Sequence, residues 1–204
     1  MVADSLDPME GVVFGNPPGI GLRALIAEDF RVHDSLWTSP GFRVIAIHRF
    51  GNWRMHVEPK LLRAPLSLLY RFMFRHVRNK YGIELEYCVR LGRRVMIHHQ
   101  SGIVINGYCE IGDDCVIRQN VTMGIRSVQE KTGAPILGKG VDVGAGAVLL
   151  GAITIGDGAQ IGANAVVLSD VPAGAVAVGV PARIVVRSAS PAAGATAAAA
   201  EVSS

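Results

Sequence analysis

Two adjacent histidines, His98 and His99, lie where an otherwise regular six-residue repeat is displaced by two positions. A neutral imidazole with an ordinary pKa of ~6.5 can take a proton from a hydroxyl near neutral pH and return it, so this pair holds the candidate general base. A three-histidine zinc site is not predicted, because the other four histidines all precede the repeats. The cysteines Cys88, Cys109 and Cys115 also lack metal-ligand spacing. No metal is therefore expected.

The repeat that surrounds the histidines indicates how they are positioned. Its apolar residues and the glycines that often follow them are typical of a parallel β-helix, in which three short strands and three turns close each coil of about eighteen residues. We expect those glycines to allow a corner backbone geometry that a side chain would resist. The phase slips twice, between Ile97 and Ile105 and between Met123 and Leu137. The repeating apolar positions are Leu85, Leu91, Ile97, Ile105, Ile111, Ile117, Met123, Leu137, Val143, Leu149, Ile155, Ile161 and Val167.

Four segments are expected along the chain of 204 residues. They are an irregular N-terminus (1–20), an α-helical cap (21–82), a β-helix domain (83–187) and a disordered Ala/Ser tail (188–204). The caps at both ends would cover apolar residues and strand edges that an open prism exposes. The fold class is therefore mainly β, with a short N-terminal helical domain.

Three helices are expected within the cap. Leu22, Leu25, Ile26 and Phe30 share a face of the first helix. Pro40 can begin the second, whose apolar stripe would contain Phe42, Ile45, Ala46, Phe50 and Trp53. The third covers 61–81, and Pro65 is expected to interrupt it.

Composition and charge narrow the function classes. A net charge of +3 is too small to favour nucleic acid, and no apolar run is long enough for a membrane span. An odd number of cysteines without a signal peptide predicts reduced thiols in a cytoplasmic protein. The third helix is basic on one side, which favours a solvated or subunit-facing surface, with contact to an anionic membrane as the alternative. The basic residues are Arg63, Arg71, Arg75, Arg78 and Lys80.

From about residue 91 to 185 the chain resembles the serine acetyltransferase group of hexapeptide-repeat acyltransferases. The matching stretches are IHHQSGIVI (97–105), RQNVTMG (118–124), VGAGAVLLGAITIGDGAQIGANAVV (143–167) and AVGVPARIV (177–185). SPGFRVIAIHRFGNW (39–53) resembles the helix that precedes the prism in this family. The helical part is shorter than in members that make O-acetylserine, and is closer in size to relatives that acetylate sugars of surface polysaccharides. The resemblance implies a left-handed coil and homotrimers with active sites between neighbouring prisms.

The resemblance also implies an acetyl-CoA-dependent O-acetyltransferase and assigns its residues. His99 matches the catalytic base, and Glu84 matches the carboxylate that orients it, where serine acetyltransferases have Asp; Glu86 is the competing candidate. The acceptor hydroxyl would attack the thioester directly, without an acetyl-enzyme. Small residues would let the pantetheine arm approach the backbone, and cations could meet the CoA phosphates. These CoA-binding candidates are Gly124, Ala145, Ala163, Arg126, Lys139 and Arg183.

The chain departs from the serine-specific pattern where the acceptor would bind. Serine-specific members hold the amino acid with an Arg-His pair before a proline, and here Gly133 and Ala134 precede Pro135. His98 stands where those members have Asp. Because an amino acid needs a cation and an anion in its pocket, a sugar hydroxyl is the preferred acceptor, with L-serine as the alternative. A carbonic anhydrase and a non-catalytic scaffold are less consistent with these motifs. The terminus Glu201-Val202-Ser203-Ser204 disfavours a stable complex with the next enzyme of cysteine synthesis.

Overall fold

The computed structural model describes residues 15–127, 129 and 133–185; the predicted Ala/Ser tail and residues 1–14 lie outside them. Three helices come first, α1 (Leu22–Val32), α2 (Pro40–Trp53) and α3 (Lys60–Tyr81), with a 3-10 turn at Arg54–His56. Short strands follow in chain order. They are β1 (Ile83–Leu85), β2 (Arg90–Leu91), β3 (Met96–Ile97), β4 (Ile103–Ile105), β5 (Glu110–Ile111), β6 (Val116–Ile117), β7 (Thr122–Gly124), β8 (Ile136–Leu137), β9 (Asp142–Val143), β10 (Val148–Leu150), β11 (Thr154–Ile155), β12 (Gln160–Ile161), β13 (Val166–Val167), β14 (Val176–Val178) and β15 (Arg183–Val185).

The strands form a parallel β-helix of about five coils with three sheets. Sheet 1 contains β1, β4, β7, β10 and β13; sheet 2 contains β2, β5, β8 and β11; sheet 3 contains β3, β6, β9, β12 and β14. β15 pairs antiparallel with β14 at the end of the last coil. This architecture confirms the predicted fold class.

Strand register confirms both predicted slips. Val104 pairs with Thr122, and Val148 with Val166, so these coils each advance 18 residues. The first coil advances 20, because Ile83 pairs with Ile103. The third coil advances 26 between Thr122 and Val148. The chain therefore inserts residues at the two places that the sequence marks.

The core is a narrow column of aliphatic side chains, and all thirteen repeating apolar residues are buried in it. Cys88, Cys109 and Cys115 are buried, and none of them forms a disulfide. Burial raises the pKa of Cys109 to about 12 and that of Cys115 to about 11. The three cysteines are therefore packing residues with little thiolate at neutral pH.

The glycines after the repeating apolar residues are required for a different reason than expected. Gly112 and Gly144 do not have a positive φ. A Cβ on Gly112 would lie 2.4 Å from the carbonyl oxygen of Gly138, and one on Gly144 would lie 2.6 Å from the nitrogen of Ala163. The expectation of an unusual corner geometry is wrong at these positions. Close approach of the next coil excludes a side chain there.

Polar side chains on α2 close the open end of the first coil. The Nε2–H of His48 donates to the carbonyl of Val89 (2.9 Å), and the Asn52 amide donates to that of Tyr87 (3.1 Å). Arg49 donates to the carbonyls of Leu91 (2.7 Å) and Gly92. Because no further coil lies below these carbonyls, the side chains replace the missing strand.

Two details of the helical prediction are wrong. The apolar stripe on α2 is incomplete, because Trp53 is 39% exposed while the polar residues that hold the first coil are buried. Pro65 does not interrupt α3, which runs from Lys60 to Tyr81. A proline near the first turns removes one intrahelical hydrogen bond but can leave the helix continuous. Among the described helices, none is long and apolar enough to cross a membrane.

Candidate active site

The two extra residues of the first coil are His99 and Gln100. The backbone N–H of His98 donates to Ile117 (2.9 Å), which places His98 beside Arg118 in the second coil. After the insertion, the N–H of Asn120 donates to the carbonyl of Ser101 (3.0 Å), so the regular pairing between the first and second coils resumes there. His99 therefore lies on a bulge that stacking does not require.

We define the histidine corner as the turns that lead from sheet 3 to sheet 1, at residues 98–102, 118–121, 144–147 and 162–165. His99 has φ 65° and Ser101 has φ 87°, a left-handed backbone that is costly for residues with a side chain. His98 and His99 are both exposed, and their ring centroids are 6.0 Å apart. Both imidazoles can thus be reached from solvent.

Glu84 lies beside this corner on the first coil. It is the middle residue of β1, pairs with Val104 and is half-buried on the outer face of sheet 1. The N–H of Ser101 donates to the carbonyl of Tyr81 (2.8 Å), which holds the start of β1 against the bulge. Within the described chain, no hydrogen bond joins Glu84 to His99.

Glu86, the competing carboxylate, has a partner of its own. The Cys88 thiol donates to its Oε2 at 3.4 Å, and burial raises the pKa of Glu86 above its ordinary value. A carboxylate that burial disfavours as an anion is a weaker partner for an imidazolium. Of the two, Glu84 is therefore better suited to orient a histidine at the corner.

Ala145 and Ala163 continue the histidine corner along the prism. The N–H of Gly146 donates to the backbone carbonyl of Gln119 (2.9 Å), and the N–H of Asn164 donates to the backbone carbonyl of Ala145 (2.8 Å). Ser101, Gln119, Ala145 and Ala163 thus follow one another from coil to coil. In the coils above the histidine bulge, Ala145 and Ala163 therefore form a strip of small residues along the corner.

The remaining predicted residues lie elsewhere on a single chain. Gly124 ends β7, and Arg126 follows it between sheets 1 and 2, where a Cβ on Gly151 would lie 3.5 Å from the Arg126 side chain. Lys139 is exposed at the turn between sheets 2 and 3, and Arg183 is exposed in β15. Ala134 is buried in the core at 5% exposure. One chain does not bring these residues to the histidine corner.

His33 was not identified from the sequence as part of this region. Its Nε2 accepts the N–H of Ile97 at 3.2 Å, and its Nδ1–H donates to the Asp29 carbonyl at 2.7 Å. Burial lowers the pKa of His33, and nearby His98 lowers it further. A neutral His33 thus supports the backbone that enters the histidine bulge. An isolated histidine at a helix end gives no sequence signal for this contact.

Elsewhere among the described residues, we considered one cavity and the possibility of a metal site. A cavity of about 280 Å³ lies on sheet 2 beneath residues 15–18, with Arg90, Glu110 and Asp113 in its lining. Among the described residues, no group of three or more His, Cys, Asp or Glu side chains could hold a metal ion. The histidine corner is therefore the candidate site.

Comparison with known proteins identifies the family. No protein-family model matches the chain. It is 40% identical over 140 residues to an Escherichia coli K12 protein named as a colanic acid biosynthesis acetyltransferase, WcaB, covering 68% of this chain and 84% of that protein. It is 38% identical over 153 residues to a Synechococcus elongatus serine acetyltransferase, covering 73% of this chain but only 58% of that enzyme.

Solved structures agree with these relatives. A soybean serine acetyltransferase complexed with serine matches with a TM-score of 0.68 at 30% identity, covering 80% of this chain and 69% of that one. A Brucella abortus serine acetyltransferase in complex with coenzyme A matches with a TM-score of 0.66 at 26% identity, covering 80% and 66%. The chain therefore belongs to the hexapeptide-repeat acyltransferases, in the family of acetyltransferases that includes serine acetyltransferase and WcaB.

Proposed function

We propose that the chain transfers an acetyl group from acetyl-CoA to a sugar hydroxyl of a surface polysaccharide precursor. The observation that carries this proposal is the pair Gly133-Ala134, which occupies the positions where serine-specific members hold the amino acid. Ala134 is apolar and buried, and glycine has no side chain. Neither residue can pair with a carboxylate. The similarity to WcaB supports the same choice of acceptor.

His99 acts as the general base in this mechanism. Its imidazole takes the proton of the acceptor hydroxyl as the hydroxyl oxygen bonds to the thioester carbonyl carbon. The carbon–sulfur bond then breaks, and the imidazolium returns the proton to the CoA thiolate. The products are an acetyl ester and free CoA, so no external proton or water is consumed. Such a base contributes about 10²–10⁴-fold to the rate.

Glu84 orients the base by accepting a hydrogen bond from the other ring nitrogen of His99. An ionised carboxylate there fixes the tautomer and stabilises the imidazolium. Two observations support this role: Glu84 is half-buried in β1, and the Ser101–Tyr81 hydrogen bond holds the start of that strand against the bulge. Hydrogen bonds of this kind commonly tighten only when substrate is bound.

Acetyl-CoA lies along the strip of small residues above the bulge. Ala145 and Ala163 let the pantetheine arm approach the backbone without a side-chain clash. The other CoA-binding candidates lie away from the histidine corner, so they reach the same CoA from a neighbouring prism; they are Gly124, Arg126, Lys139 and Arg183. This arrangement supports a homotrimer whose sites lie between subunits, and the exposure of His98 and His99 on one chain fits such a shared site.

The test is release of free CoA thiol by purified protein with acetyl-CoA, using L-serine, sugars and nucleotide sugars as acceptors. We expect turnover with a sugar acceptor and none above background with L-serine. His99→Ala should lower kcat by about 10²–10⁴-fold. His56→Ala removes an exposed imidazole outside the histidine corner, so it is the matched control and should retain most of the activity.

Glu84 is tested separately with Glu84→Gln and Glu84→Asp. The first should lower kcat and shift the acidic limb of the pH–rate profile, while the second should restore part of both. Turnover with L-serine at a rate equal to that with sugars would contradict the acceptor assignment. Equal activity of wild type and His99→Ala would contradict the mechanism.

A further inference from the structure

Helix α3 has an exposed apolar face that the fold leaves uncovered. Leu61 is 82% exposed, Leu68 69% and Phe72 71%. Their spacing of seven and four residues places them on one side of the helix. Leu62 and Leu69 border them and are also exposed. The opposite side, with Ser67, Tyr70 and Val77, is the one buried against the rest of the protein.

The same helix concentrates the positive charge of the chain. It contains six of the 20 Lys and Arg residues and none of the 17 Asp and Glu residues. Helix α3 thus carries a formal charge of +6, while the remainder of the chain carries −3. Arg75 follows Phe72 by three residues and is exposed next to the apolar face. A net charge of +3 for the whole chain conceals this asymmetry.

We propose that α3 binds the surface of an anionic lipid bilayer, with its apolar face inserted between headgroups. Exposed leucines and phenylalanine supply the apolar area, and the flanking cations supply the charge complementarity to acidic lipids. A second copy of α3 would place like charges together, which disfavours helix-to-helix pairing as the cover. The helix lies in the interface plane and does not cross it.

Vesicle flotation of the full-length protein tests this inference. One set of vesicles is phosphatidylcholine, and the other is a mixture with phosphatidylglycerol. We expect binding to the mixed vesicles only, weakened by salt because the charges are exposed. Leu68→Ser/Phe72→Ser should abolish binding. Arg75→Glu changes the local charge by two, and we expect the binding constant to fall about thirtyfold (about 2 kcal/mol).

Matched controls make the same chemical changes on other faces. Ile136→Ser removes a 43% exposed apolar side chain from sheet 2, and Arg23→Glu reverses an exposed charge on α1. Both should float like wild type. Absence of binding by wild type, or unchanged binding by both α3 variants, would overturn the inference. A smaller assembly mass for Leu68→Ser/Phe72→Ser would also overturn it, because a second copy would then cover this face. The readout does not depend on acetyl transfer.

Discussion

Replacing Arg49 should detach the helical cap from the β-helix. Arg49 and Asp29 are both fully buried, with Nε of Arg49 2.9 Å from Oδ2 of Asp29. Burial raises the pKa of Asp29, and the Arg49 guanidinium opposes that rise. The guanidinium also donates to the carbonyls of Leu91 and Gly92 on the first coil. One side chain therefore joins α1, α2 and β2.

The expected cost follows from the groups that Arg49→Met leaves without a donor. Unpairing a buried charge costs about 3–5 kcal/mol, and each buried carbonyl without a donor costs about 1–3 kcal/mol. Because such costs are not additive, we expect the free energy of unfolding to fall by about 4–6 kcal/mol. Arg49→Lys keeps a charge but not the planar fork of donors, so its loss should be intermediate.

Urea unfolding followed by far-UV circular dichroism, at one protein concentration, measures these differences. The double variant Asp29→Leu/Arg49→Met removes the unpaired charge and should recover part of the loss. It should remain about 1–3 kcal/mol less stable than wild type, because the Leu91 and Gly92 carbonyls still lack a donor. A loss below about 1 kcal/mol for Arg49→Met, or no recovery in the double variant, would refute this account of the cap.

Three further measurements test the core and the cap. Burial lowers the pKa of His48 to about 3. The free energy of unfolding should therefore fall by about 1.4 kcal/mol per pH unit as the pH decreases from ~6.5 towards 3, because the unfolded chain takes up a proton that the folded chain does not. Urea unfolding of His48→Gln across this range should show a smaller dependence of this free energy on pH. Burial raises the pKa of Cys115 to about 11, so a thiol reagent at neutral pH should label it only after unfolding; rapid labelling of native protein would contradict this. Gly144→Ala places a Cβ 2.6 Å from the nitrogen of Ala163 and should lower the free energy of unfolding by about 1–3 kcal/mol, whereas Gly124→Ala, whose nearest contact is 3.6 Å, should cost less.

The β-helix could be predicted because its core follows a strict sequence period. Inward positions such as Ile117 and Leu149 recur every sixth residue, and the slips at 98–102 and 125–135 correspond to inserted residues. The cap could not be predicted in the same way. His48, Arg49 and Asn52 bind backbone carbonyls of the first coil, and carbonyls are present at every residue. Helical periodicity therefore gives no sign of which polar side chains are buried.

The sequence indicates which residue types could form the candidate site, and that assignment stays a prediction; it does not indicate which contacts support them. His98 and His99 were located by the first slip, but the contact from His33 to Ile97 joins residues 64 apart in the chain. The glycine positions were also predicted, and the reason for them was wrong, because distance to the next coil is a three-dimensional property. Sequence spacing identifies where the repeat changes, whereas the neighbouring coil determines which side chain fits.

The departures from a simple repeat are concentrated in the first coil. Its edge carbonyls are bound by α2, its third strand is supported by His33, and its last turn carries the histidine bulge. The coils above it at the histidine corner contribute stacked small residues such as Ala145 and Ala163. In the proposed mechanism, the capped coil holds the base while the regular coils hold CoA. In that mechanism the cap serves the chemistry directly, because a base on a left-handed bulge keeps its direction only if the coil beneath it is held in place.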